Sequence, residues 1–251
     1  MERPIASMNA DELAGFVASG LGDEIDAMKV LRNPHCTFAI AMEIASRSHL
    51  ASSSGVRELV CSVRGMPPGK VLDLLATLPW LSLMTLAQNP RTPPRVKRQA
   101  ETRLIHRIGK LTIGERIAAA RRAHRALVPH LMKLGEIEVV RALLDNPRLT
   151  GDDIVRLLQG ADVPSAVFGE LVRHPRWGPR PEIRFAIARG GGAPLPLALS
   201  ALAQMPLGDL VTLTEDPTLR PEIRVAARQL HARRSRANRK RRKRCGIVLK
   251  K

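Results

Sequence analysis

The chain has 251 residues with 41 Lys+Arg against 23 Asp+Glu, and 44% of its residues are hydrophobic although only 2% are aromatic. This length and apolar fraction fit one long domain or two small ones, and they argue against wholesale disorder. A core built mainly from aliphatic side chains favours helices over sheets. The composition indicates no reaction.

Neither the N-terminus nor the most apolar stretches have the features of a membrane segment. The N-terminus carries acids where a signal peptide would have a basic start and an apolar stretch. Residues 74–87 and 193–207 are short and interrupted by prolines, so we expect no transmembrane helix. Neither a disulfide framework nor a cysteine-based zinc site is expected from the widely separated Cys36, Cys61 and Cys245. We therefore expect a cytoplasmic protein.

A helix-breaking phrase recurs along the chain: an amphipathic stretch, a polar residue followed by Pro, and a second amphipathic stretch that opens with Thr or Pro. It occurs at Asn33-Pro34, Asn89-Pro90 and Asn146-Pro147, with variants at His174-Pro175 and Asp216-Pro217. The steps between the Asn residues are 56 and 57 residues, and the next step, to His174, is 28. This spacing indicates a degenerate unit of about 28 residues.

Each of these steps should end one helix and begin another. Proline removes a backbone donor and disfavours the helical conformation of the residue before it. The next helix can be capped by Thr37, Thr92 or Thr150, and Pro93 or Pro181 suits a first turn. Between the steps, no stretch alternates like a strand.

Apolar residues at helical spacing fill the segments between the breaks. Val96, Ala100, Leu104 and Ile108 recur every four residues. Thr112 and Glu115 have the spacing of a capping box, and the helix that follows carries Ile113 and Ile117 ahead of His124, Leu127 and Leu131. We predict that every element is a helix of roughly 8 to 20 residues, which buries its apolar face by stacking on its neighbours.

The repeated Leu-x-x-Asn-Pro-x-Thr-Pro phrase resembles the leucine-rich repeat variant and, more broadly, the HEAT-type α-solenoids of bacteria, over about residues 20–230. The resemblance implies an all-α solenoid of degenerate helical repeats, which we assign to residues 1–230. It also implies that the protein binds another macromolecule and is not an enzyme. Some leucine-rich repeat variants carry a ferredoxin-like cysteine cluster, but this chain has none, so we expect no iron–sulfur cluster and no other cofactor.

The positive charge is concentrated in two segments. Residues 91–133 hold twelve Lys/Arg against Glu101 and Glu115, and residues 231–251 hold eleven with no acid, so the remainder has a net charge of −3. We predict that the tail, residues 231–251, is disordered because its like charges repel one another, with a frayed helical extension of residues 223–230 as the alternative. Rows of arginines on stacked helices, as predicted for residues 91–133, and arginine-rich arms such as the tail can both bind the phosphate groups of a nucleic acid.

We predict a non-enzymatic module that binds nucleic acid, either DNA or structured RNA including ribosomal RNA. The predicted phosphate contacts are Arg91, Arg95, Arg98, Arg103, Arg107, Arg121, Arg122, Arg125, Arg233, Arg234, Arg236, Arg239, Lys240, Arg241, Arg242, Lys243 and Arg244. A protein-interaction scaffold with an incidental tail is the alternative for the whole chain, and an anionic membrane is the alternative for the tail. The basic helices could also be a solvated face without a partner. No small-molecule substrate is expected.

The candidate residues for metal or acid–base chemistry have simpler interpretations. His124 and His130 miss the i, i+4 spacing that places two ligands on one helical face, so we interpret them as surface or groove histidines. Asp152 and Asp153 follow Thr150 and should lie in the first turn of a helix, where carboxylates favourably meet the helix dipole.

Glycine and tryptophan provide two further candidates. Gly190–Gly192 resembles a phosphate loop, but no strand precedes it and no Lys-Ser/Thr follows, so we interpret it as a hinge between repeats. Trp177 is flanked by arginines and could stack on a base, although we favour a position between repeats in the core. Trp80 is predicted to lie in the core. Two isolated tryptophans and no suitably placed Asp make a poor match to HEAT-like DNA glycosylases.

Since the sequence contains no pair of His or Cys residues at metal-binding spacing, thermal unfolding should be unchanged by a strong chelator. The measurement is a melting curve followed by circular dichroism, with and without the chelator. Stoichiometric zinc or iron in the purified protein, detected by elemental analysis, would contradict this expectation.

Overall fold

A computed structural model describes residues 4–160 and 163–244, together with the side chains of residues 4–160 and 163–240. Within these ranges the secondary structure is helical and contains no strand. The predicted all-α class is therefore confirmed. The same ranges contain no helix that is both long and apolar enough to cross a membrane.

The chain forms two compact units, Met1–Leu111 and Thr112–Lys251, a boundary that the sequence analysis did not place. In the first unit, α2 packs on α5, α5 on α7, and both α6 and α7 on α8. Its elements are a short 3-10 helix (Ile5–Ser7), α1 (Ala10–Ala18), α2 (Glu24–Arg32), α3 (Phe38–Ser46), α4 (Ser48–Ala51), α5 (Ser54–Ser62), α6 (Pro68–Thr77), α7 (Trp80–Gln88) and α8 (Pro94–Ile108).

In the second unit, helices separated by one element in the sequence pack on each other: α9 on α11, α11 on α13, and α12 on α14. At its C-terminal end, α17 packs on α15 and α16. The elements are α9 (Ile113–Arg122), α10 (Val128–Lys133), α11 (Ile137–Leu144), α12 (Gly151–Leu158), α13 (Ser165–Arg173), α14 (Pro181–Arg189), α15 (Leu195–Leu202), α16 (Leu207–Glu215) and α17 (Pro221–Arg244).

The predicted helix caps are present at most of the breaks. The Thr37 and Thr150 side chains accept hydrogen bonds from the backbone N–H of the third residue of α3 and α12. Thr112 and Glu115 form the expected capping box at the start of α9. The expectation for Thr92 was wrong, because Pro93 is the N-cap of α8 and the Thr92 hydroxyl is buried without a hydrogen-bond partner.

The apolar stripe of α8 is buried as predicted, with Val96, Ala100, Leu104 and Ile108 all facing the core. The stripe predicted to continue from Ile113 to Leu131 is broken instead, because α9 ends at Arg122 and α10 begins at Val128. Pro129 explains the break, since it lacks the N–H that a continuous helix would need. Ile113 is 52% exposed, and α9 buries Ala119 and Ala120.

Two asparagines of the Asn-Pro steps tie their loop to an earlier helix end in the same way. The Asn33 amide donates to Ile5 O at 2.8 Å and to Met8 O at 3.1 Å. The Asn146 amide donates to Ala120 O at 2.8 Å and to Ala123 O at 2.9 Å, at the end of α9. In both cases the side-chain oxygen accepts a hydrogen bond from the backbone N–H two residues later. Each Asn side chain therefore forms hydrogen bonds with two separate segments of the chain.

Replacing either asparagine should therefore lower the free energy of unfolding. Asn33→Ala and Asn146→Ala each remove two donors and leave carbonyls without partners, which should cost about 1–3 kcal/mol. Urea denaturation followed by circular dichroism measures the loss. The matched control is Asn238→Ala, which replaces an exposed residue of α17 and should change stability by less than about 0.5 kcal/mol. Equal losses in all three variants would contradict the structural role of these asparagines.

Candidate nucleic-acid interface

Some of the arginines predicted to contact phosphate in the first unit are used to stabilise the end of a helix. Arg107 on α8 donates to Leu78 O at 2.5 Å and also to Ala76 O, both at the C-terminal end of α6. Arg103 donates at 3.0 Å to Leu72 O, which lies in the middle of α6, so of the two only Arg107 reaches the helix end. The last carbonyls of a helix lack internal partners and carry a partial negative charge, so a guanidinium satisfies them well.

The remaining predicted cations of this unit are free for an outside partner. Arg91, Arg95 and Arg98 are exposed, and their guanidinium groups have no hydrogen-bond or ion-pair partner within the part of the chain that the structure describes. Arg95 and Arg98 lie one turn apart on α8. The sequence does not distinguish these two groups of arginines. The carbonyl oxygens that accept hydrogen bonds from Arg103 and Arg107 lie about 30 residues earlier in the chain.

The second unit shows the same division of roles. Arg121 and Arg122 are exposed at the end of α9, and Arg121 has no partner among the described residues. Arg125 forms an ion pair with Asp153 at 2.9 Å while its side chain stays 60% exposed. Since α8 belongs to the first unit and α9 to the second, the guanidinium ladder that we expected across these two helices stays a prediction.

The basic C-terminal segment is helical as far as the structure describes it. Residues 231–244 continue α17 without interruption, so the predicted disorder of the tail is wrong up to Arg244, where the structure has the helical extension instead. Cys245 and the residues after it lie outside the described residues. We call residues 233–244 the basic extension. Its predicted contacts Arg241, Arg242, Lys243 and Arg244 lie in the helix, but their side chains are outside the description.

An arginine anchors the base of the basic extension. Arg234 donates to Met205 O at 2.6 Å and to Ala203 O, at the C-terminal end of α15. Earlier in α17, Ile223 and Ala227 are fully buried. From residue 236 to residue 240 the helix is exposed throughout. The cations without a partner in the described structure are Arg233, Arg236, Arg239 and Lys240.

The two tryptophans have different environments. Trp177 is fully buried, and its indole N–H donates to Leu144 O at 2.8 Å. The guanidinium carbons of Arg176 and Arg180 lie 4.2 and 4.8 Å from its ring centroid. Its predicted core position is therefore confirmed, and the indole is not available to stack on a base. Trp80, which we also expected in the core, is only partly buried because it is the first residue of α7.

The described residues offer no metal centre, since no cluster of three His, Cys, Asp or Glu side chains with a ligand arrangement occurs among them. Burial raises the pKa of the Cys36 thiol to about 11, and burial together with the nearby Glu58 raises that of Cys61 to about 12. Both thiols are therefore protonated at neutral pH and are poor nucleophiles. Asp152 and Asp153 lie in the first turn of α12 as predicted.

The loop Gly190–Gly192 joins two helices. Gly190 is the C-cap of α14, and Pro194 is the N-cap of α15. The element before the loop is the helix α14, and the described residues contain no strand. This agrees with the sequence-based argument against a phosphate loop.

One charged cluster was missed by the sequence analysis. The buried carboxylate of Glu170 on α13 accepts a hydrogen bond from Arg141 at 2.7 Å and another from Arg173 at 3.0 Å. The hydrogen bond from Arg141 is the main reason why the pKa of Glu170 lies below its usual value. The spacing of Glu170 and Arg173 is an ordinary helical i, i+3 pair, but nothing local signals the partner 29 residues away.

Comparisons with protein-family models, with curated proteins and with solved structures returned no match to this chain.

Glu170 should make the stability of the second unit depend on pH. A carboxylate whose pKa is lower in the folded chain contributes stability above its unfolded pKa, and that stability disappears as the pH falls through the folded value. Glu170→Gln should therefore be less stable than the wild type at pH 7, and the two should converge as the pH falls below the usual range of a glutamate. Urea midpoints measured at several pH values test this. The matched control is Asp73→Asn, which replaces an exposed carboxylate that has no partner among the described residues and should change stability by less than about 0.5 kcal/mol.

Proposed function

We propose that this protein is a non-enzymatic module that binds nucleic acid, with the basic extension of α17 as its main phosphate-binding element. The observation that carries the proposal is a set of four exposed cations on a helix that is anchored to the second unit, none of which has a partner among the described residues: Arg233, Arg236, Arg239 and Lys240. No acid follows Glu222 in the sequence, so nothing nearby in the chain neutralises them. Unpaired guanidinium groups on an anchored helix suit phosphate oxygens.

The distribution of these cations around the helix favours a nucleic acid over a lipid surface. At about 100° per residue, the four free cations Arg233, Arg236, Arg239 and Lys240 fall within about 120° of the helix circumference and form one cationic face. A helix that binds a bilayer surface needs a continuous apolar face, whereas the other residues of this stretch are Ser235, Ala237 and Asn238. A cationic helix face without apolar residues suits the phosphate oxygens of a nucleic-acid backbone.

We further propose that the stacked helices are degenerate repeats of the HEAT-like or leucine-rich-variant kind, which together form a solenoid that holds α17 in place. The packing of α9, α11 and α13 in succession supports this, as does the matching geometry of Asn33 and Asn146. Arg91, Arg95 and Arg98 of the first unit and Arg121 at the end of α9 provide further phosphate contacts in this proposal. Both duplex DNA and structured RNA, including ribosomal RNA, fit this arrangement.

A protein-interaction scaffold is the second candidate function. It is favoured by a separate observation, a groove between α6 and α8 of the first unit, whose aliphatic floor the nucleic-acid proposal does not use, although Arg95 and Arg98 at its rim are among the predicted phosphate contacts.

Removing the free cations of the basic extension should weaken nucleic-acid binding and flatten its salt dependence. Each lost phosphate contact lowers the slope of log K against log salt by about 0.9 on duplex DNA, so losing four should lower it by roughly 3 to 4. The measurement is fluorescence anisotropy on a labelled duplex and a labelled hairpin RNA over a range of salt concentrations. The variant carries Arg233→Gln, Arg236→Gln, Arg239→Gln and Lys240→Gln. Substitution is preferable to truncation at residue 231, because truncation would also remove the structural Arg234.

The matched control removes the same charge from scattered exposed positions, Arg64→Gln, Lys110→Gln, Arg156→Gln and Arg228→Gln. Its slope should stay close to that of the wild type. If both variants lose slope equally, the attraction is general and the basic extension is not a site. If the wild type binds neither nucleic acid at low salt but binds vesicles containing anionic lipid, the nucleic-acid proposal is wrong.

A further inference from the structure

The N-terminal halves of α6 and α8 enclose a groove of about 770 Å³ in the first unit. Its floor is aliphatic: Val63, Val71 and Val96 are almost fully buried, and they belong to the core below. Leu72 lies in the groove with 38% of its surface exposed. A groove of this size is within the range of ligand-binding clefts, and covering an exposed leucine removes apolar surface from water.

The rim of the groove is positively charged. Arg95 and Arg98 line it, and both guanidinium groups are exposed and free of partners in the described chain. The helices α6 and α8 both begin at the groove with a proline in the first turn and no side-chain cap, which adds the positive ends of two helix dipoles. The residues that line the groove include no acid.

We propose that this groove binds an acidic peptide segment of a partner protein, with an aliphatic or aromatic side chain on the aliphatic floor and neighbouring carboxylates on Arg95 and Arg98. Guanidinium groups pair with carboxylates through two parallel hydrogen bonds, which gives this end of the groove its selectivity. The groove lies in the first unit and the basic extension in the second, so the inference is independent of nucleic-acid binding by α17.

The lining favours a peptide over a nucleobase. Bases are held by stacking on aromatic rings or by hydrogen bonds to their edges, whereas no aromatic ring lines this groove and its polar side chains are confined to Arg95, Arg98 and Gln99. A floor of valines, a leucine and a methionine complements an apolar side chain. Charge and shape together therefore select a segment in which Asp or Glu stands beside Leu, Met or Phe.

A displayed library of random twelve-residue peptides, panned on the full-length protein, tests the proposal directly. The enriched sequences should combine acidic and large apolar residues. Synthetic copies of the enriched peptides, labelled and measured by fluorescence anisotropy, should bind at least ten-fold more weakly to Leu72→Gln and to the double variant Arg95→Glu, Arg98→Glu. The first variant removes the apolar contact without changing charge, and the second reverses the rim. Circular dichroism establishes that both variants are folded.

The control variant Lys110→Glu, Arg121→Glu makes the same change in charge at exposed sites outside the groove and should bind the peptides as the wild type does. The four-Gln variant of the basic extension should also bind them normally, so this proposal and the nucleic-acid proposal fail separately. No enrichment, enriched peptides without acids, or equal affinity for the wild type and both groove variants would overturn the inference. So would a single-stranded oligonucleotide that binds more tightly than the peptides and depends on Leu72.

Discussion

The constraint on which this structure depends is the shortness of its helices, most of which have only eight to ten residues. A helix of this length is marginal alone, and several of its end carbonyls have no internal partner. In this chain, side chains from later elements donate hydrogen bonds to these end carbonyls. Asn33 and Asn146 reach back to earlier helix ends through their amides, and Arg47, Arg107 and Arg234 do so through their guanidinium groups, across 26 to 31 residues.

The need for donors at helix ends divides the arginines into two functional groups. Arg107 and Arg234 satisfy carbonyls at the C-terminal ends of α6 and α15, so their charge contributes mainly to folding. Neighbouring arginines on the same helices, such as Arg98 and Arg236, have no such acceptor and stay exposed. The high net charge of the chain therefore overstates what is available to a partner. The available charge is concentrated on the first two turns of α8, at the end of α9 and along the basic extension.

The two proposed binding surfaces follow from the same architecture. The basic extension projects cations because α17 continues beyond the residues that it buries, Ile223 and Ala227. The groove of the first unit opens where α6 and α8 begin, with Leu72 on its floor and Arg95 on its rim. One surface suits a polyanion and the other an acidic segment with an apolar side chain. The two proposed surfaces lie in different units.

The sequence by itself determined the helical class, the breaks at Asn-Pro and the caps at Thr37, Thr112 and Thr150, because these depend on residues within about four positions of each other. It also located the basic segments. Only the tertiary structure decided which arginines donate hydrogen bonds to helix-end carbonyls. It also decided that Trp177 is buried while Trp80 is partly exposed, and that α6 and α8 enclose a groove. Those outcomes depend on packing between elements far apart in the sequence. Arg107 and Arg98 are alike in the sequence, and only the carbonyls of α6 distinguish them.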